Sequence, residues 1–196
     1  MVLDLGKRDT GVLDAGLLEL RGVTGGLMAA HGAQKLFGAF SGPGLKGTAG
    51  FMEMLGLRPG KLWGTAAALS EFGGGVLTAI GFLHPFGSIA TLSSMAMATA
   101  KAHWGKPIWA TAGGAETPLL NIAAAVALML AGPGKYSVDD ALGIEIPNWL
   151  IAAGVLGAGA LVGYGIATRP VAPSPAQDEG QTGAQSGEPA SAAPVS

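Results

Sequence analysis

The sequence has 196 residues, 49% of them hydrophobic and only 12% charged, with net charge −2 and no cysteine. Soluble domains carry about 25% charged residues and about 7% glycine, whereas this chain has 34 glycines and a mean hydropathy of +0.44. An ordinary soluble domain is thereby excluded, as are disulfides, thiolate metal sites and any CxxC redox centre on this sequence. No basic field exists to attract nucleic acid. Helical membrane proteins tolerate many small residues because these let helices approach closely in lipid, so the composition predicts an all-α, polytopic membrane helix bundle.

The N-terminal stretch MVLDLGKRDTGVLDAG holds three aspartates and no clean apolar core, and does not read as a cleaved signal peptide. Residues 1–11 are taken as a polar segment. Apolar runs of helical length follow at 12–37, 61–83, 86–103, 116–131 and 149–168. A spanning helix needs about 20 residues. The second and fifth runs fit that length, the third is near its lower limit and the fourth is short. The first is long enough but is interrupted by Arg21, His31 and Lys35. No run alternates with period two, which disfavours strands. Trp63 and Trp149 open two runs, Trp104 and Trp109 follow a third, and Tyr164 lies near the end of the last. Such positions suit indole and phenol rings in the headgroup layer.

Between the runs, residues 38–60 form a Gly/Pro-rich connector whose apolar stretch around Phe51, Met52, Met54 and Leu55 predicts a short interfacial helix. His84-Pro85 marks a tight turn, and residues 104–115 a second loop. After Gly132-Pro133-Gly134, Ser137 offers a helix N-cap with Asp140 at the third helical position. Residues 170–196 have the composition of a disordered tail. Counting Lys and Arg over five spans puts the two long loops and the tail in the cytoplasm and the N-terminus outside.

Charged groups at membrane depth cost about 2.5–3.5 kcal/mol each on insertion scales and normally face a partner. On the first helix, Lys35 lies about 40° and His31 about 80° around the axis from Arg21. Gly25 and Gly32, on the same helix, offer a small surface for close packing. Candidate counter-charges are Glu71 in the second span, Glu116 at the start of the fourth (with Thr117 and Asn121 near it) and Glu53 in the connector. Arg21, His31, Lys35, Glu71 and Glu116 form the candidate intramembrane cluster. Such a cluster binds an anionic or quinone-like head group, relays protons, or does no more than neutralise itself and lock the bundle.

Other motifs carry little. Gly42-Pro43-Gly44-Leu45-Lys46-Gly47 matches GxGxxG, but no strand precedes it. There is no Walker lysine motif, no nucleophile elbow and no histidine spacing suited to zinc, so no metal site is expected. His31 and His103 as paired haem ligands are outweighed by ordinary polar roles. Met52, Met54, Met95 and Met97 read as packing.

Taken in order, the motifs resemble the DoxX family of small bacterial integral membrane proteins. They are Arg21 and His31-Gly32-xx-Lys35-Leu36, then Glu71-Phe-Gly-Gly-Gly, then Gly113-Gly114-Ala115-Glu116, Gly132-Pro133-Gly134 and Ser137-Val138-Asp139. The resemblance covers about 15–142. It implies a four-helix membrane bundle over 12–146, in the bacterial cell membrane and tied to membrane redox systems. One relative is a subunit of a thiosulfate:quinone oxidoreductase; another assembles with a superoxide dismutase and a thiol-processing sulfurtransferase. The expectation is a subunit that anchors or organises a redox or oxidative-stress complex, without catalytic activity of its own. The alternatives are a quinone-reactive oxidoreductase subunit and a small transporter or proton conductor. Beyond a quinone, no cofactor is implied. The run within 147–169 is an addition to the four-span pattern and predicts an extra transmembrane helix. Since the sequence has no cysteine, thiol chemistry would belong to partners.

Overall fold

In a computed structural model of the chain, which describes residues 10–168, every regular element is helical. The helices are α1 (Thr10–Phe37), α2 (Gly44–Met54), α3 (Gly60–Ile80), α4 (Phe86–Ala98), α5 (Glu116–Ala131), α6 (Val138–Leu142) and α7 (Asn148–Ala167). Single turns of tighter helix lie at Ala39–Ser41 and Ala110–Ala112, and α4 runs on through a wide π-turn, Thr99–His103. The segments 1–9 and 169–196, which hold most of the proposed polar N-terminus and the whole proposed tail, lie outside the described residues.

All five apolar runs are helical, and their ends follow local chemistry. α1 and α3 stop at Gly38 (φ 73°) and Gly81 (φ 65°), where a left-handed residue takes up the last carbonyls without a Cβ penalty. Ser137 caps α6 by accepting from the Asp140 amide at 3.2 Å, as the Ser-Val-Asp-Asp pattern predicts. The connector helix α2 is longer than its apolar stretch. It starts directly after Pro43, and the next proline, Pro59, lies beyond its end.

α1 and α3 are antiparallel and make the most extensive helix pair. A Cβ on Gly25 would sit 2.6 Å from the Gly75 carbonyl oxygen, and one on Gly75 the same distance from that of Gly25. The backbones meet because neither position has a side chain. α4 packs on α3, α5 on α4 and α1, and α7 along α4, while α2 folds back against α1 and α3.

Among the described residues, α7 alone is both long and apolar enough to cross a membrane, with a mean hydropathy of 1.9; α5 is a shorter apolar helix. The five-span expectation is thus met outright only by the run outside the four-helix pattern. The others fall short for definite reasons: α1 carries Asp14, Glu19, Arg21 and Lys35, α3 has Glu71 beside three glycines, and α4 and α5 are 13 and 16 residues long.

Candidate functional site

Six residues separate α1 from α2, and the return through α2 lets α3 run back along α1. That antiparallel register sets Lys35, two residues before the end of α1, opposite Glu71 in the middle of α3. The Lys35 ammonium and Glu71 Oε1 form an ion pair, with Lys35 29% and Glu71 3% exposed in their side chains. The other carboxylate oxygen, Glu71 Oε2, is buried and has no hydrogen-bond partner. A buried polar atom left unpaired costs about 1–3 kcal/mol, and more when charged.

Glu71 opens onto a cavity of about 140 Å³. α2 contributes Phe51 and Met52 to its wall, α3 Trp63 and Ala67, α4 Met97, and α7 Leu161. Trp63 stacks on Tyr164 of α7, ring centroids 6.1 Å apart and planes 16° apart. The π-turn after α4 brings in Lys101, which lines the cavity and donates to the Thr168 carbonyl at the end of α7. Helix widening of this kind is common at functional sites. The cavity is thus apolar with one ion pair and a second lysine at its edge. An apolar cavity of roughly 150 Å³ is known to hold a benzene ring, so the space is large enough for one ring.

A second polar centre sits at the other end of the α1–α3 pair. Arg21 is 2% exposed and donates to the Tyr136 carbonyl, while its Nε and Nη1 have no partner. Gly81 makes room for it, because a Cβ there would collide with Nη1. The carboxylate of Asp139, itself buried, accepts from the amides of Leu83 at 2.8 Å and His84 at 2.7 Å. The Asp139 amide donates to the Gly81 carbonyl at 3.0 Å. One short helix thereby locks the α3–α4 turn. Burial pushes the His84 imidazole below its ordinary range, against the opposing pull of Asp139 and a hydrogen bond with the Met129 backbone.

Of the five candidate residues, only Lys35 and Glu71 are brought together. Arg21 lies 14 residues from Lys35 on one helix, roughly 21 Å along the axis. His31 is exposed, its Nδ1 3.2 Å from Gln34 Oε1. Glu116 closes the 104–115 loop instead: its Oε2 accepts from the Ala110 amide at 2.9 Å, and its own amide donates to the Ile108 carbonyl. Glu53 accepts from the Gly60 amide at 3.2 Å. His103 Nδ1 is 2.7 Å from the Gly113 carbonyl, on a different element from His31. Among the described residues no three of His, Asp and Glu gather as a metal site would require.

Sequence reasoning passed over Lys101, which lies near the end of the third apolar run, and Asp139, read only as part of a motif. A signal existed for each. Lys101 sits three residues before Trp104, at the same end of the bundle as Lys35, and Asp139 follows an N-cap serine in the first turn of its helix.

The DoxX family model matches residues 16–104, a stretch that contains Arg21, Lys35, Glu71 and Lys101 but ends before Glu116, Asp139 and α7. No curated protein and no solved structure matches the chain.

Proposed function

Since residues 16–104 make the chain a member of the DoxX family, we propose that it is a multi-pass subunit of a membrane redox complex, in the cell membrane, and that it binds a quinone-type ring in the Lys35–Glu71 cavity. Its exposure pattern supports membrane embedding. Leu27, Leu120, Leu130 and Leu156, on α1, α5 and α7, are 60–84% exposed, while Arg21 and Glu71 are each 2% exposed. Apolar side chains outside and charges inside are what a bundle needs when its solvent is hydrocarbon. In this reading α1, α3, α4 and α5 form the DoxX-type bundle, 12–146, and α7, within 147–169, is an added span.

The observation that carries the ligand reading is that Glu71, with its Oε2 unpartnered, lines an apolar cavity of ring size. Ligand pockets are mostly apolar with a few converging polar groups. A bound quinone's carbonyl oxygen would accept from the Lys35 ammonium, and the hydroxyl of its reduced form would donate to the Glu71 carboxylate. The ion pair therefore serves both the oxidised and the reduced head group. Trp63, Phe51 and Met97 would give the ring its apolar walls, and Lys101 would favour anionic character at the edge. A bound quinone supplies two-electron, two-proton chemistry. Thiol or metal chemistry is carried by soluble partners of the superoxide dismutase or sulfurtransferase kind.

The test is titration of the full chain in mild detergent with a short-chain quinone analogue, read by tryptophan fluorescence. Binding is expected to be saturable, with the quenched fraction reduced in Trp63→Phe. Glu71→Gln should weaken it about tenfold or more, the worth of one hydrogen bond to a charged group. Absence of saturable quenching, or quenching unchanged in Trp63→Phe, would remove the ligand assignment.

A further inference from the structure

The second polar centre holds a problem that the described side chains do not solve. Arg21 is buried with Nε and Nη1 unpaired, and among the described residues the one ion pair is Lys35–Glu71, at the opposite end of the bundle. Asp139 does not answer the charge: its carboxylate accepts from the Leu83 and His84 amides and makes no ion pair with Arg21. Removing an isolated charge from water costs many kcal/mol unless a counter-charge is found.

Arg21 lines a cavity of about 10 Å³ together with Thr78, Gly87 and Ser88. The Thr78 hydroxyl is likewise buried and without a partner. Gly87 and Ser88 belong to the first turn of α4, a 13-residue helix whose N-terminus no side chain caps. Free amides and the helix dipole make that turn attractive to negative charge. Three independent features thus converge on one small space: an unneutralised guanidinium, an unpaired hydroxyl and an uncapped helix start. Its volume admits about one water or one ion, which excludes phosphate, carboxylates and lipid head groups. A water would pair some of these donors but leave the guanidinium charge unanswered.

We propose that this cavity holds one monatomic anion of the chloride class, ligated by Arg21 and Thr78 and facing the first turn of α4. The anion neutralises Arg21 and, through Gly81 and the α4 start, ties α1 to the α3–α4 turn. This site is separate from the Lys35–Glu71 cavity and does not depend on what binds there.

The full chain in detergent is compared in sodium chloride, bromide and gluconate at constant ionic strength, reading thermal unfolding and chloride-35 NMR line width. Chloride and bromide should stabilise the protein saturably and gluconate should not, and bromide should reverse the chloride line broadening. Thr78→Val is expected to raise the half-saturating chloride concentration about tenfold, the fold-change for one hydrogen bond to a charged group. Arg21→Met should abolish the halide dependence; should that variant not fold, Thr78→Val carries the test. Identical unfolding of the wild type in chloride and gluconate without line broadening would mean that water occupies the cavity, overturning the proposal. Unchanged halide affinity in Thr78→Val would overturn it too, by moving the anion elsewhere.

Discussion

The two ends of the α1–α3 pair each hold a cation, Lys35 part-buried and Arg21 fully buried, and treat it differently. At one end Lys35 meets a carboxylate of the same chain, and Glu71, its Oε2 buried and unpaired, lines a cavity of about 140 Å³. At the other, Arg21 meets only a backbone carbonyl, keeps two nitrogens unpaired, and lines a space of about 10 Å³. The Lys35 end is walled by α2, α3, α4 and α7 together with the π-turn after α4, and has room for a ring. The Arg21 end is closed by the α3–α4 turn and the end of α5, and has room for one ion. A buried charge alone therefore says little about role. What distinguishes the two ends is how much space remains beside the charge and which atoms stay unpaired.

Removing a partner at each end tests this contrast most strongly. Glu71→Ala leaves Lys35 without its carboxylate and should cost about 3 kcal/mol of stability, the lower part of the range for breaking a buried pair. Pairing Glu71→Leu with Lys35→Met should recover most of that loss. Thermal or denaturant unfolding in detergent reads both; a double variant as unstable as the single one would deny that the unpaired charge is the cause. At the other end Asp139→Ala strips the Leu83 and His84 amides of their acceptor. The expected loss is about 2–3 kcal/mol, with amide exchange rising in the α3–α4 turn and not at the Lys35 end. Uniform exchange across both ends would show that the turn is not locked by Asp139.

The glycine contact between the two ends sets their spacing. Gly75→Ala places a Cβ 2.6 Å from the Gly25 carbonyl, and overpacking of this kind costs about 1–3 kcal/mol. Forced separation of α1 and α3 should loosen the Lys35–Glu71 pair, so quinone-analogue affinity falls together with stability. Ser137→Ala removes the α6 cap and should cost about 1 kcal/mol, again at the Arg21 end alone.

The smallest effect is expected from pH. Burial lowers the His84 pKa in the folded chain, so below about pH 6.5 the unfolded state binds the proton more readily. The His84 contribution is therefore fully present above that pH and is lost as pH falls toward the lowered folded value. Unfolding followed from pH 7.5 to 5 should show this decline, and His84→Gln should flatten it.

Much of the helical framework was legible because it rests on local rules. The apolar runs, the Ser137 cap and the close contact of Gly25 and Gly32 with α3 follow from composition, turn chemistry and side-chain size. The candidate cluster was legible only in part. Helical angle put Arg21 and Lys35 on nearly one stripe, but angle carries no information about the roughly 21 Å between them along the axis. Glu116 was read as a counter-charge because it opens an apolar run. Its hydrogen bond to Ala110 depends on the 104–115 loop folding onto itself, which no periodicity reports. Lys101 joins the cavity through a π-turn that shifts helical phase, and a regular 100° step would not place it there.

Both readings rest on one claim, that the outward apolar faces of the helices lie in lipid while the two cationic ends lie inside. The sequence has no cysteine, so single cysteines at Leu27, Leu69, Leu130 and Leu156 can each carry a unique spin label in reconstituted bilayers. Accessibility to oxygen, which concentrates in hydrocarbon, is compared with accessibility to a water-soluble nickel complex. High oxygen and low nickel accessibility at all four positions is the expected result. High nickel accessibility at Leu27, Leu69 and Leu130, with only Leu156 of α7 in hydrocarbon, would contradict the claim and leave a single-span protein.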